Sequence, residues 1–388
     1  MSATKLPASS DTHYFGRLLQ GWDRFWFSPG DPTILGLLRI FCGFTVLYIH
    51  LAYSYNLQEF FGKDAWISAA MMDEFRHEAP TFGPAKGWDN AGLLRPETSE
   101  EEQYIKKWGG NRHQAEYFGQ TRWSIWYHVT DPTWMRITHG TILLTMFLFT
   151  IGFCTRITGV LAWAGMLSYV HRSPTSLFGM DNIMNVVMLY LVIGPSGAAL
   201  SVDRLIARYW ATYQALRRHK PPPTFGLPAP RISANFALRL LQVHVCIVYL
   251  ISGTSKLQGG VWWTGNAVWM TMANYEFSPM DSPLYMAVLR LLSEHRWLWE
   301  LVMTAGTFFT LIFEISFAYL IWNRRLRWPM IICAVLLHLG IALCMGLVTF
   351  SMMMLIGVLS FVPSETVRQL LWRLGRGPAR VGFAQLEG

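Results

Sequence analysis

The chain has 388 residues, of which 52% are hydrophobic, 15% aromatic and 14% charged, and its mean hydropathy is +0.26. Soluble domains carry about 25% charged residues, so this composition excludes an ordinary water-soluble globule and points to a polytopic membrane protein. The formal charge of +8 sits in short basic segments between apolar runs; that is a topology signal, and with no DNA or RNA motif in view, nucleic acid is excluded as a partner.

Residues 1–30 carry no apolar core of a signal peptide, so no cleavable leader is expected. They hold an amphipathic patch, Tyr14–Phe27, with Trp22, Phe25, Trp26 and Phe27 beside Arg17 and Arg24, which reads as a helix lying on the membrane surface. The first span is predicted over Pro32–Tyr53. Arg39 lies inside it and at that depth needs a partner or a polar cavity. Residues 55–133 form a long polar segment with the charge run Glu97–Lys107 and a helical-looking piece at Ala65–Glu78; it reads as a cap over one end of a bundle. Further spans are predicted over Trp134–Cys154, Ile157–His171, Met180–Leu200, Ala234–Ser255, Leu298–Trp322, Pro329–Met345 and Leu347–Val362, eight in all. Between them lie a basic linker at 201–233, an aromatic stretch at 256–297 broken by Gly and Pro and readable as re-entrant, and the turn with Arg324, Arg325 and Arg327. A basic tail follows at 364–388. The expected fold is therefore all-α, a bundle of about eight transmembrane helices over 31–363 with one long external loop.

Eight alternating spans place Arg156, the linker, the turn at 324–327 and both termini on the cytoplasmic side, as the positive-inside rule requires. The same alternation gathers polar residues at the outer end: His50, His139, His171, Arg172, Asp181, Asn182, Asn185 and Lys256. His244 and His338 lie deeper, and Glu314 falls inside an apolar run, where a buried carboxylate needs a partner or a proton; Arg39 is one candidate mate. No metal-ligand spacing, nucleotide-binding glycine motif or serine elbow is present, and the five cysteines, all in or beside apolar runs, read as small buried residues.

Lys256 stands out as the only lysine after Lys220, in YLISGTSKLQGGVWWTGNAVW. Two readings stay open. Its ammonium group is an interface anchor that reaches for headgroups, or it is a general base whose charged form is disfavoured among apolar groups. In the second reading Trp262, Trp263 and Trp269 line an outward-facing pocket for a flat, lipid-soluble molecule, with His338 as a second catalytic candidate beside Lys256 and His171, Asp181 and Asn182 as supporting polar groups. Asp181 and Asn182 also read as helix caps, and the histidines as core residues bonded to neighbouring helices.

Three stretches carry a family likeness: the Lys256 segment just quoted, DNIMNVVMLYLVIGPSGAALSVDRL, and the C-terminal run FEISFAYLIWNRRLRWPMIICAVLLHLGIALCMGLVTFSMMMLIGVLSFV. Together they resemble the HTTM (horizontally transferred transmembrane) family of mostly bacterial proteins, which is similar to the membrane part of vitamin K-dependent gamma-carboxylase. The resemblance covers roughly residues 14–370. It implies an inner-membrane location in a bacterium, a catalytic base at Lys256, a family histidine at His338, and a quinol such as vitamin K hydroquinone as the small-molecule partner. Asp181-Asn182 stands where the carboxylase has an Asn-His pair, and the chain stops soon after the last span, so carboxylation of a protein glutamate is not the expected reaction. A non-catalytic role in ligand binding, transport or assistance to other membrane proteins is the alternative.

Overall fold

The apolar runs become helices because a backbone removed from water must satisfy its N–H and C=O groups internally. A computed structural model describes residues 10–69, 71–72, 123–173, 177–223, 226–276 and 278–375, and every regular element among them is helical. The only β feature there is an isolated bridge between Gly30 and Arg231. The charge run Glu97–Lys107, half of Ala65–Glu78 and the tail beyond Gly375 lie outside the described residues.

In chain order the helices are α1 (Ser10–Phe27), α2 (Thr33–Ala52), α3 (Leu57–Phe61), a short 3-10 turn at Ile125–Tyr127, α4 (Pro132–Ile151), α5 (Thr155–Arg172), α6 (Gly179–Ile193), α7 (Val202–Arg217), α8 (Ile232–Lys256), α9 (Gly260–Trp263), α10 (Ala267–Met272), α11 (Pro283–Glu294), α12 (Arg296–Leu320), α13 (Arg327–Met345), α14 (Val348–Leu359) and α15 (Ser364–Gly375). Each of the eight predicted spans coincides with a helix, but fewer qualify as spans. Five helices, α2, α4, α8, α12 and α13, are long and apolar enough to cross a membrane. The count rises to 6 if α14 and Ser364–Leu370, bent by 109°, form one broken span. The remaining two fall short for local reasons. With Arg156, His171 and Arg172 in 18 residues, α5 is too polar. At 15 residues, α6 is too short; Pro195 follows, and a proline both lacks the N–H a helix needs and pushes its predecessor out of helical geometry.

The chain divides into two compact units, one comprising Met1–Thr45, Phe147–Val160 and Asn182–Gly388, the other Val46–Met146 and Leu161–Asp181. In the first unit α8 and α12 run antiparallel. Arg239 sits over the Trp322 ring at 5.7 Å, and at the other end Gly253 meets Glu314 and Ile315 so closely that a Cβ there would lie 2.8 Å from Ile315 Cγ1. Glycine is what allows this approach. Past Lys256 the chain does not leave α12. Thr307 Oγ1 donates to the Gly265 carbonyl at 3.5 Å and Val268 packs beside Gly306, so the broken stretch α9–α10 continues along the same helix.

At the opposite end of this unit Arg39 is fully buried. Its guanidinium donates to the carbonyls of Thr150 (3.4 Å), Ser196 (2.8 Å), Ala199 (3.5 Å) and Leu200. Gly152, at φ +77°, leaves room for it: a Cβ there would sit 2.6 Å from Arg39 Nη1. Leu200 is held at φ 49°, a left-handed conformation that L-residues adopt at a cost of about 1–2 kcal/mol, and Arg39 bonds its carbonyl. Asp203 caps α5, accepting from Cys154 N at 2.6 Å, Thr155 N at 2.9 Å and Thr155 Oγ1 at 2.7 Å. Asn235 closes α1 by donating to the Phe25 and Trp26 carbonyls at 2.8 and 3.1 Å. On α1, Leu18, Leu19, Trp22 and Phe27 stay exposed, the surface that a membrane-lying helix presents to lipid.

The second unit is built around Tyr169. Rings of His50 (4.7 Å), Phe61 (5.0 Å), Trp126 (5.0 Å) and Tyr53 (5.7 Å) surround it. Its hydroxyl bonds His139 Nδ1 at 2.7 Å, and His139 Nε2 meets Ser54 Oγ at 2.8 Å. Arg172, one turn on, is fully buried; Nη2 donates to the Gly62 carbonyl at 2.9 Å, while Nε and Nη1 have no acceptor among the described residues.

Candidate functional site

Positions 249, 252, 253 and 256 recur every three or four residues and so share one face of α8. That face meets Phe313, Glu314 and Phe317 of α12. Lys256 Nζ donates to Glu314 Oε2 at 2.6 Å, to Glu314 Oε1 at 2.9 Å and to Ser252 Oγ at 2.6 Å. An ammonium group has three protons, and here three acceptors meet them. Trp262, on the short α9, places its ring centroid 5.4 Å from the same nitrogen, within cation–π range. Glu314 is buried and Lys256 half-buried. Arg39, the mate proposed for Glu314 from sequence, is instead spent on backbone carbonyls; Lys256 takes its place.

Lys256 closes α8, while Glu314 lies 18 residues into α12 (314 − 296), roughly 27 Å along it at 1.5 Å per residue. The pair therefore stands beside the body of α12, at the break where α8 hands over to α9 and α10. Ionisable groups placed among apolar spans are costly and belong to working sites, and interrupted helices are where membrane proteins expose polar backbone internally.

Two turns before Lys256, Tyr249 is buried between Phe313 (5.4 Å) and Phe317 (4.3 Å). Its hydroxyl meets His338 Nε2 at 2.7 Å, and the other ring nitrogen of His338, also buried, has no hydrogen-bond partner. Two polar contacts thus lie on one face of α8, Lys256–Glu314 toward α12 and Tyr249–His338 toward α13.

The other expected site residues have local duties. Trp263 turns outward, 72% exposed, with its Nε1 donating to the Leu257 carbonyl at 2.8 Å. Trp269 pairs edge-on with Trp299 at 6.0 Å. Asp181 accepts from Phe178 N at 2.8 Å, the reach-back of a capping box. Asn182 is exposed and makes no side-chain hydrogen bond among the described residues. His171 Nδ1 bonds the Trp123 carbonyl at 2.8 Å, and its own carbonyl accepts from Tyr127 at 2.8 Å, which clamps the segment around the 3-10 turn. His171 and Asp181 belong to the second unit, Lys256 and His338 to the first. Tyr249 and Ser252 went unnoticed in the sequence; the spacing 249, 252, 256 on one helix face was the available signal.

Compared with protein-family models, curated proteins and solved structures, the chain matches none. What the molecule supports directly is a helical protein with five or six candidate membrane spans and a buried lysine–glutamate pair at a helix break.

Proposed function

We propose that this is a multi-pass membrane protein of the HTTM kind, in which the Lys256–Glu314 pair takes the hydroxyl proton of a lipid-soluble, quinol-type molecule. The observation that carries the reading is the doubly bonded pair itself, 2.6 and 2.9 Å, under the Trp262 ring. An ammonium–carboxylate pair and its amine–carboxylic acid form hold the same protons, and a low-dielectric setting favours the uncharged form of each group. Moving one proton from Lys256 to Glu314 leaves a free amine. That amine accepts the hydroxyl proton of the quinol, giving an ammonium beside a quinolate anion, while Glu314 stays protonated and the charges balance. The resemblance to the quinol-using carboxylase supports Lys256 as the base. The eight-span topology with both termini cytoplasmic belongs to this proposal as well, with α5, α6 and α14 as the short members.

The experiment adds vitamin K hydroquinone, without oxygen, to the detergent-solubilised protein and follows the absorbance shift of its ionised form. The shift is expected with the unmodified chain and absent in Lys256→Arg, because arginine keeps the charge but does not give up its proton. No shift with the unmodified chain, or an undiminished shift in Lys256→Arg, sinks the proposal. A second reading has its own support: three acceptors saturating the ammonium, at the closest approach of α8 and α12, describe a clamp. A Lys256→Met/Glu314→Leu double variant that unfolds at a markedly lower temperature, together with an unmodified chain that gives no shift, establishes that reading instead.

A further inference from the structure

A cavity of about 220 Å³ opens in the first unit between the start of α5, the turn at 194–198 and the residue before α8. Its charged lining is Arg156, Asp203 and Arg231. Both arginines are exposed, and neither guanidinium has a hydrogen bond or ion pair among the described residues. The acceptors around them are already taken. Asp203 commits both carboxylate oxygens to the start of α5, accepting from Cys154 N, Thr155 N and Thr155 Oγ1, so its charge is set against the positive end of that helix. The Ser196 carbonyl of the turn accepts from Arg39. The placement of the two arginines is itself unfavourable. Arg156 is the second residue of α5 and Arg231 the N-cap of α8, and neither helix has an acidic residue in its first turn. No side chain caps α8. A cation at such a position faces the positive end of the helix dipole, where an anion is stabilising.

An anion in this cavity meets both guanidinium groups. The volume, below the roughly 300–1,000 Å³ of small-molecule pockets, suits one charged group and not a whole cofactor. The level of the cavity in the fold indicates which group. Gly30 and Arg231 exchange backbone hydrogen bonds of 3.0 and 2.9 Å, tying the start of α8 to the residues just before α2, and both helices are candidate spans. The cavity therefore lies where spans begin, in the headgroup layer. Ile157, Ile193 and Ile232, each next in sequence to a lining residue, are exposed, as residues in contact with acyl chains are. We propose that this cavity binds a phosphate group between Arg156 and Arg231, presented by a phospholipid whose chains run past Ile157, Ile193 and Ile232. Guanidinium groups suit that role because their paired N–H donors match two phosphate oxygens, and basic pockets beside membrane helices take such headgroups. A free phosphate offers the same oxygens, and the test separates the two sources. The cavity is distinct from the Lys256–Glu314 pair, and the proposal holds whether or not that pair is catalytic.

The test uses the full chain purified in detergent, with phosphatidylglycerol, a diacylglycerol of the same chains or inorganic phosphate added. Phosphatidylglycerol should raise the unfolding temperature at concentrations roughly tenfold or more below those at which diacylglycerol does, the scale expected of two arginines beside a phosphate. Arg156→Gln/Arg231→Gln should remove that difference and leave the lipid-free unfolding temperature unchanged or higher, since it takes cations away from positive helix ends. The control Arg324→Gln/Arg325→Gln, which removes two exposed charges from another basic turn, should keep the difference. Equal protection by the two lipids, an unaffected Arg156→Gln/Arg231→Gln variant, or equal loss in the control overturns the proposal. Protection by inorganic phosphate as strong as that by phosphatidylglycerol supports the phosphate site and overturns the phospholipid as its source. Phenylglyoxal labelling, read by peptide mass spectrometry, tests the unmodified chain independently of any variant's folding. Phosphatidylglycerol should shield Arg156 and Arg231 and leave Arg324 and Arg325 as reactive as before. Undiminished labelling of Arg156 and Arg231 with both phosphatidylglycerol and inorganic phosphate, or equal shielding of all four arginines, refutes the site.

Discussion

Tyr249 with His338 in the first unit and Tyr169 with His139 in the second make the same contact, a 2.7 Å hydrogen bond between a buried phenol and an imidazole. Their surroundings differ. His139 has both ring nitrogens engaged, the second by Ser54 at 2.8 Å, and the neighbours of Tyr169 are rings. His338 has one nitrogen without a hydrogen-bond partner among the described residues, and the phenol it bonds packs against Phe313 and Phe317. A saturated pair has one arrangement and serves to hold helices in register; an unsaturated pair leaves a ring nitrogen open to a further partner. The two buried arginines repeat the contrast with the units reversed, since Arg39 donates to four carbonyls and Arg172 to one.

The largest test separates the charged pair from everything else. Glu314→Gln alone, or Lys256→Met alone, strands a buried charge and should destabilise the protein by about 3–5 kcal/mol, whereas Lys256→Met/Glu314→Leu should recover most of that loss. Thermal unfolding in detergent reads this directly; single variants as mild as the double one would mean that the pair is not desolvated. Next come the arginines. Arg39→Met should cost about 3 kcal/mol, because several buried carbonyls lose a charged donor. Arg172→Met should fall within about 1 kcal/mol of the unmodified chain, on either side, since it gives up one hydrogen bond and a poorly solvated charge. Equal losses at the two sites would remove the contrast. Tyr249→Phe should cost roughly 1–3 kcal/mol, as His338 is then left without any partner, and Tyr169→Phe about 1 kcal/mol, as His139 keeps Ser54. The smallest effect is expected for Ser54→Ala, about 0.5–1 kcal/mol; it gives His139 the unmet nitrogen that His338 already has, and hydrogen exchange around α4 should rise with it.

Most helix positions were legible from apolar runs of the right length, and the need of Arg39 for polar company followed from its depth alone. The membrane count was not. A run such as Met180–Leu200 is long and mostly apolar after its polar start at Asp181–Asn182, but Pro195 ends the helix near Ile193, and only the folded chain shows that nothing restores it. Which charges pair was equally hidden. Arg39 and Lys256 were both available to Glu314, and the choice depends on the register of α8 against α12, set by the absence of a side chain at Gly253. That the chain past Lys256 stays against α12 through 265–268 was hidden as well, because a sequence shows where a helix ends but not where the chain then turns. At Asp181 and His171 the residue type invited a chemical role, while the backbone groups beside them, invisible in a list of side chains, gave them structural ones.

The sequence separation of the Lys256–Glu314 bond, 58 residues, sets an order of events during synthesis. At about 5–20 residues per second the lysine is made some 3–12 s before its carboxylate. Throughout that interval α8 carries a cation with only Ser252 and the Trp262 ring to shelter it, and water or headgroups are the better company. The doubly bonded contact between α8 and α12 can therefore close only after α12 has been made, which makes it one of the later contacts of this unit to form.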